Sequence, residues 1–61
     1  MVYWIVKKYD KEAGNMIYIS GLDKDGKPIH TTEKADAVKF HDLGVPMALY
    51  FEQKYCIEKC Y

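Results

Sequence analysis

Two short, mainly apolar segments separated by polar residues lie near the amino end of the chain. Residues 2–9 read V-Y-W-I-V-K-K-Y and residues 16–20 read M-I-Y-I-S, so both are rich in β-branched and aromatic types. A polar loop that contains a Gly-Asn pair separates the two segments, as is typical of a turn between strands. The pattern predicts an antiparallel hairpin formed by these two segments.

The middle of the chain predicts a turn, a short strand and a short helix. Residues 21–27 include an Asp-x-Asp-Gly sequence, which favours a tight turn. Pro28 suits the start of a short third strand over residues 28–31. Thr32 is a suitable N-cap residue, and the sequence after it predicts a helix over residues 33–40.

The last third of the chain predicts one more helix and one more strand. Pro46 fits the first turn of a helix over residues 46–54, and this helix has a broad apolar face. Residues 55–61 alternate and contain β-formers, which favours a strand, although no Gly or Pro after Lys54 stops the helix. We therefore expect a single α+β domain over residues 1–61, in which one or two short helices pack on a small antiparallel sheet. The sheet would consist of the hairpin and the short third strand, with the C-terminal segment as a fourth.

Side chains of a strand point alternately to opposite faces, and short helices can cover only one face of the sheet. The first interpretation places six apolar residues in the core: Ile5, Ile17, Ile19, Phe40, Ala48 and Phe51. It leaves an exposed stripe of four residues: Trp4, Val6, Met16 and Tyr18. Because large aromatic side chains dominate protein interfaces, this stripe is a candidate partner-binding surface.

The opposite assignment of faces remains open. It places Trp4 in the core and makes the tyrosines the interface candidates: Tyr3, Tyr9, Tyr50, Tyr55 and Tyr61. From the two assignments we take six candidate partner-binding residues: Trp4, Val6, Met16, Tyr18, Tyr50 and Tyr55.

Size and charge narrow the classes of function. A chain of 61 residues has a thin core, and a deep catalytic pocket would consume most of it. Nine basic and nine acidic residues give a net charge of zero, which argues against nucleic acid as a partner. His30 and His41 have no nucleophile in an identifiable motif beside them, and no phosphate-binding loop is present. We expect no enzymatic activity, no catalytic residues and no cofactor.

The cysteines and the acidic turn do not predict a metal site. Cys56 and Cys60 lie too close in sequence for a useful disulfide, so we interpret them as the reduced thiols of a cytoplasmic protein. Together with His30 and His41 they lack the spacing of a structural zinc site. The turn over residues 21–27 lacks the glutamate that completes a calcium loop.

The chain also lacks the signals of secretion or membrane insertion. No segment approaches the roughly 18 apolar residues of a membrane-spanning helix. The apolar run at the amino end is short and is followed, not preceded, by lysines, unlike a signal peptide. We expect no membrane partner and a cytoplasmic location.

A set of short motifs is spread over residues 3 to 50. The motifs are Tyr3-Trp4-Ile5-Val6-Lys7, Tyr18-Ile19-Ser20-Gly21, Asp25-Gly26-Lys27-Pro28, Thr31-Thr32, and Ala37 with Phe40 followed by Ala48. This arrangement resembles a class of very small proteins encoded by tailed bacteriophages and prophages. The characterised small phage proteins of this size often inhibit a host machine by binding it, including CRISPR effectors and restriction or replication enzymes.

The resemblance implies a non-enzymatic protein that binds and inhibits a host protein machine in the bacterial cytoplasm. The most specific function that the resemblance implies is that of an anti-CRISPR or other anti-defence inhibitor. Two alternatives come from the residues themselves. One is a nucleic-acid-binding accessory protein that uses Tyr3, Trp4, Lys7 and Lys8, and the other is a self-associating structural protein that forms a homodimer.

Overall fold

The computed structural model describes residues 1–61 and contains one four-stranded antiparallel sheet and one α-helix. The elements in chain order are β1 (Tyr3–Asp10), β2 (Asn15–Leu22), β3 (Pro28–Thr31), a 3-10 turn (Lys34–Asp36), α1 (Gly44–Gln53) and β4 (Cys56–Cys60). The strands are arranged in the order β3-β2-β1-β4. The predicted α+β class is confirmed, with one α-helix.

β1 and β2 form a hairpin whose loop is shaped by Asp10 and Gly14. One carboxylate oxygen of Asp10 accepts hydrogen bonds from the backbone N–H groups of Glu12 and Ala13. Gly14 has a positive φ of 73°, a conformation that glycine adopts without a steric penalty. The loop places Lys7 directly opposite Tyr18, and this register decides which side chains share a face of the sheet.

β1 and β2 pair only near their loop, and residues 38–40 lie between their other ends. The ladder extends from the loop to the pair of Lys7 and Tyr18. Beyond it, Trp4 and Phe40 exchange two backbone hydrogen bonds of 2.8 and 2.9 Å. The backbone N–H of Val38 donates to the carbonyl of Ile19 at 2.9 Å. The extended segment therefore satisfies strand groups that would otherwise lack partners.

The predicted helix over residues 33–40 is wrong. The chain forms only the 3-10 turn there, and Ala37 after it has an extended conformation with φ −65° and ψ 138°. The backbone groups of residues 38–40 bond to β1 and β2, so they are not available for helical hydrogen bonds. Pairing with the sheet thus overrides the local helix propensity of this segment.

The main core lies between α1 and one face of the sheet. It contains Val6, Ile19, Leu49 and Tyr55, with Val38 and Phe40 packed against it. Val6 and Ile19 have no exposed surface, and Pro46 at the start of α1 is also fully buried. The two strand residues come from β1 and β2 and share this face because of the hairpin register.

The same register corrects the first assignment of faces. Tyr18 lies opposite Lys7, so Met16 and Tyr18 share a face with Ile5, while Ile19 shares the other face with Val6. Ile5 is buried as predicted, with 3% exposed, but on the side away from the main core. Val6, predicted to be exposed, is a core residue.

Two residues of the helix that were predicted to lie in the core are exposed instead. Ala48 is exposed, and 71% of the Phe51 side chain is accessible to solvent. Ile17 and Phe40 are half-buried. Tyr55, taken as a surface tyrosine in the sequence, has only 5% of its surface exposed.

The helix ends at Lys54, and the fourth strand follows. Lys54 has a left-handed conformation with φ 59° and ψ 34°, and its N–H donates to the carbonyl of Leu49. A left-handed residue ends a helix, although glycine is the usual residue at this position. β4 then pairs with β1 from Tyr3 opposite Cys60 to Lys7 opposite Cys56.

Candidate protein-binding surface

The outer side of α1 is apolar. The helix buries only Pro46 and Leu49, which are three residues apart and so lie on the same side. Met47 and Phe51 are four residues apart and face roughly the opposite direction. We call the exposed apolar residues in and beside this helix the α1 surface: Leu43, Val45, Met47, Tyr50 and Phe51. No charged residue occurs from position 43 to 51.

Two aromatic rings form the carboxyl end of the α1 surface. Tyr50 and Phe51 pack edge to face, with ring centroids 5.2 Å apart and an interplanar angle of 87°. This is a favourable geometry for aromatic pairs. Since aromatic side chains have few rotatable bonds, the pair offers a large contact area to a partner at a small entropic cost.

The ends of α1 are fixed by local hydrogen bonds. At the start, the Asp42 carboxylate accepts a hydrogen bond from the N–H of Gly44 at 2.9 Å. The N–H of Met47 donates to the carbonyl of Leu43, also at 2.9 Å. At the other end, Lys54 stops the helix in the left-handed conformation. With Pro46 and Leu49 packed in the core, these contacts hold the outer side in one orientation.

Tyr55 connects the two edge strands of the sheet from the core side. Its hydroxyl lies 2.7 Å from Nε2 of His30 on β3, and the Lys8 ammonium lies 5.2 Å from its ring centroid. Burial raises the pKa of the Tyr55 phenol above its ordinary value, because the charged form would be poorly solvated. Tyr55 therefore stays neutral and has a structural role.

The larger cavity of the protein lies beside Tyr55 and has a volume of about 420 Å³. Its charged lining residues are Lys8, Lys11, Asp10 and Glu12. Two ammonium groups and two carboxylates oppose each other there, so the cavity does not select a ligand by the sign of its charge.

Glu58 is the centre of an ionic cluster on the sheet face away from α1. Its two carboxylate oxygens each lie 2.8 Å from an ammonium group, one from Lys7 and one from Lys34. The hydrogen bonds from Lys34 and Lys7 lower the pKa of Glu58 to about 2. The cluster connects β1, β4 and the 3-10 turn. Within it, the charge of Lys7 is paired with a carboxylate of the same chain.

The Glu58 cluster makes the stability of the protein depend on pH in acid. The folded pKa of Glu58 is lowered from 4.5 to about 2, so its contribution is complete above pH 4.5 and is lost as the pH falls through the folded value. We expect Glu58→Gln to lower the free energy of unfolding at pH 7 by about 1 kcal/mol, the upper range for solvent-screened pairs. Urea titrations between pH 7 and pH 2 should show this difference shrinking towards zero.

Glu12→Gln provides the control for this pH dependence. Glu12 lies in the exposed hairpin loop and belongs to neither of the two ion pairs. Its substitution should leave the acid profile of the wild type unchanged. A Glu58→Gln deficit that stays constant from pH 7 to pH 2 would contradict the assigned pKa.

The structure does not bring the six sequence-predicted partner-binding residues together. Val6 and Tyr55 are buried in the core, so they are not accessible to a partner. Trp4 is half-buried and shares the face of Val6, whereas Met16 and Tyr18 are half-buried on the other face. Tyr50 alone belongs to the α1 surface.

Sequence reasoning missed Val45, Met47 and Phe51 as surface residues. A usable signal was present, because all seven residues from Val45 to Phe51 are apolar. A helix packed on a sheet buries only one side. A helix with seven consecutive apolar residues at the surface of a small domain therefore has to expose some of them to water or to a partner.

Comparison of the chain with protein-family models, curated proteins and solved structures found no match. The single α-helix falls short of the length and apolar character needed to cross a membrane. No group of three or more His, Cys, Asp or Glu side chains is placed to hold a metal ion.

Proposed function

We propose that this protein is a non-enzymatic binding protein that uses the α1 surface to bind and inhibit a protein of a bacterial host. The supporting observation is the exposure of Met47, Tyr50 and Phe51 on a helical stretch that has no charged residue from position 43 to 51. Contiguous apolar patches on small proteins mark interaction sites. Aromatic residues within such patches contribute most of the binding energy.

The shape of the α1 surface favours a partner that has an apolar groove. A helix of ten residues is a convex ridge about 15 Å long. Helices bind grooves through anchor residues one turn apart, which is the spacing of Met47 and Phe51. A second copy of this chain would pack helix against helix through ridges and grooves, whereas a groove encloses Met47 and Phe51 on both sides. The α1 surface therefore suits a concave partner.

The nucleic-acid alternative is less favoured by the geometry. Lys7 is paired with Glu58, and Trp4 is half-buried. A stacking platform for single-stranded nucleic acid needs exposed rings beside free basic groups. The resemblance to small phage and prophage proteins supports a host protein instead, and an anti-CRISPR or other anti-defence role is the sharpest form of the proposal.

Site-specific photo-crosslinking in bacterial cells tests the proposal. The crosslinking amino acid is placed at position 51 in one variant and at position 29 in another, since Ile29 is exposed on β3 at the far edge of the sheet. Position 51 should give an adduct with a host protein, and position 29 should not. Crosslinks from position 51 to a second copy only, or equal adducts from both positions, would overturn the proposal.

The captured host protein is then purified for affinity measurements. Phe51→Ser should weaken its binding by about 30-fold, the loss expected for an aromatic anchor worth about 2 kcal/mol. Ile29→Ser should bind like the wild type. Raising the salt concentration should change the affinity little, because the contact is apolar. A Phe51→Ser variant that binds with wild-type affinity, or an affinity that falls steeply with salt, would contradict an apolar α1 contact.

A further inference from the structure

A second cavity, of about 260 Å³, lies on the sheet face opposite α1. Its uncharged lining residues are Tyr3 and Ile5 of β1, Cys60 of β4, and Ala35 and Ala37 from the segment after β3. Ile5 and Ala37 are both buried, with 3% and 7% of their surfaces exposed. The interior of this cavity is therefore mostly apolar.

The charged residues that line this cavity are both lysines. The Lys34 ammonium is paired with Glu58 at 2.8 Å. Lys39 takes part in neither ion pair of the protein, and its ammonium lies 5.3 Å from the centroid of the Tyr3 ring. A carboxylate near the cavity is that of Glu58, whose Oε2 lies 3.8 Å from Sγ of the lining residue Cys60 and is paired with Lys34. An apolar space thus has an ammonium group at its edge with no carboxylate partner.

We infer that this cavity is a binding site for a small carboxylate with an aliphatic body. The carboxylate would accept hydrogen bonds from Lys39, and the aliphatic chain would contact Tyr3, Ile5 and Ala37. Hydrogen bonds of this kind, between charged groups, are stronger than those between neutral groups. Ligand sites generally combine an apolar lining with a few polar groups that fix orientation.

The volume of the cavity sets the size of the ligand. A volume of 260 Å³ corresponds to about eight or nine water molecules at roughly 30 Å³ each. Hexanoate, with about eight non-hydrogen atoms, matches this size and is the probe of choice. The cavity beside Tyr55 is larger, but its lining has as many carboxylates as ammonium groups, so it lacks this preference for an anion.

The inference is independent of the proposed function. The carboxylate site lies on one face of the sheet and α1 covers the other. Phe51→Ser should therefore leave hexanoate binding unchanged. Loss of partner binding in that variant and loss of hexanoate binding in a Lys39 variant are separate results.

Titration of the full chain with hexanoate, followed by NMR of the backbone amides, tests the site. We expect saturable shifts at Ala35 and Ala37 and no such shifts with hexylamine, which has the same chain and the opposite charge. Lys39→Gln should weaken hexanoate binding about tenfold or more, the factor for one hydrogen bond to a charged group. Lys24→Gln, in the exposed turn before β3, should bind hexanoate like the wild type.

Three results would overturn the site. They are shifts that do not saturate, equal binding of hexylamine and hexanoate, and a Lys39→Gln variant with wild-type affinity. Lys39 is exposed, so its substitution should preserve the fold, and the amide spectrum itself reports whether it does.

Discussion

Tyr55→Ala should remove a large share of the free energy of unfolding of the protein. Tyr55 has 5% of its surface exposed and belongs to the four-residue main core. Truncation of a buried aromatic residue to alanine costs about 3–5 kcal/mol. A chain of 61 residues has a total stability of about 3–9 kcal/mol. The loss is therefore of the same order as the whole free energy of unfolding.

Two further variants separate the parts of this effect. Tyr55→Phe keeps the ring and removes only the hydroxyl that lies 2.7 Å from His30, so it should cost about 1 kcal/mol. Tyr61→Ala makes the same truncation at a tyrosine that is 87% exposed, and it should cost almost nothing. Thermal and urea unfolding followed by circular dichroism measures all three. Similar midpoints for Tyr55→Ala and Tyr61→Ala would contradict the position of Tyr55 in the core.

Much of the sheet was predictable because its signals are local. Residues 2–9 and 16–20 have β-branched and aromatic residues around a polar loop, and they became β1 and β2 with small changes at the ends. Pro28 begins β3, and residues 56–60 form β4. For β1, β2 and β3, neighbouring residues in the sequence carry both the strand propensity and the turn signal, whereas β4 is indicated by strand propensity alone.

The segment over residues 33–40 was not predictable in the same way, and the sequence left open whether α1 continues past Lys54. The segment forms hydrogen bonds with Trp4 and Ile19, which are distant in sequence, so no local pattern reveals them. α1 ends at Lys54 in a left-handed conformation, at a position where the usual signal is glycine. Tertiary contacts therefore determine the conformation of residues 38–40.

Phe51 shows why the candidate binding surface could not be predicted fully from the sequence. The pattern identified a helix with a broad apolar face but not which side of it packs on the sheet. Contact of Pro46 and Leu49 with the core turns Phe51 outwards. Since every residue from Val45 to Phe51 is apolar, hydrophobic periodicity alone could not distinguish the two sides.

The first assignment of the hairpin faces was wrong because alternation within one strand does not fix the register between two strands. Alternation correctly separates Ile5 from Val6. Whether Ile19 shares the face of one or the other depends on the loop, since a shift of one residue exchanges the faces. The loop places Lys7 opposite Tyr18, and this register puts Ile19 beside Val6 in the main core.

Ile19→Ala and Ile29→Ala together test this register. The two residues have the same side chain and lie on adjacent strands, but Ile19 has no exposed surface while Ile29 is 47% exposed. Ile19→Ala should cost about 2–5 kcal/mol, because it leaves a cavity among Val6, Leu49 and Tyr55. Ile29→Ala should cost less than about 1 kcal/mol, since about half of the residue is already exposed to water. Urea unfolding of both variants gives the comparison, and equal losses of stability would contradict the burial of Ile19 in the main core, which this register produces.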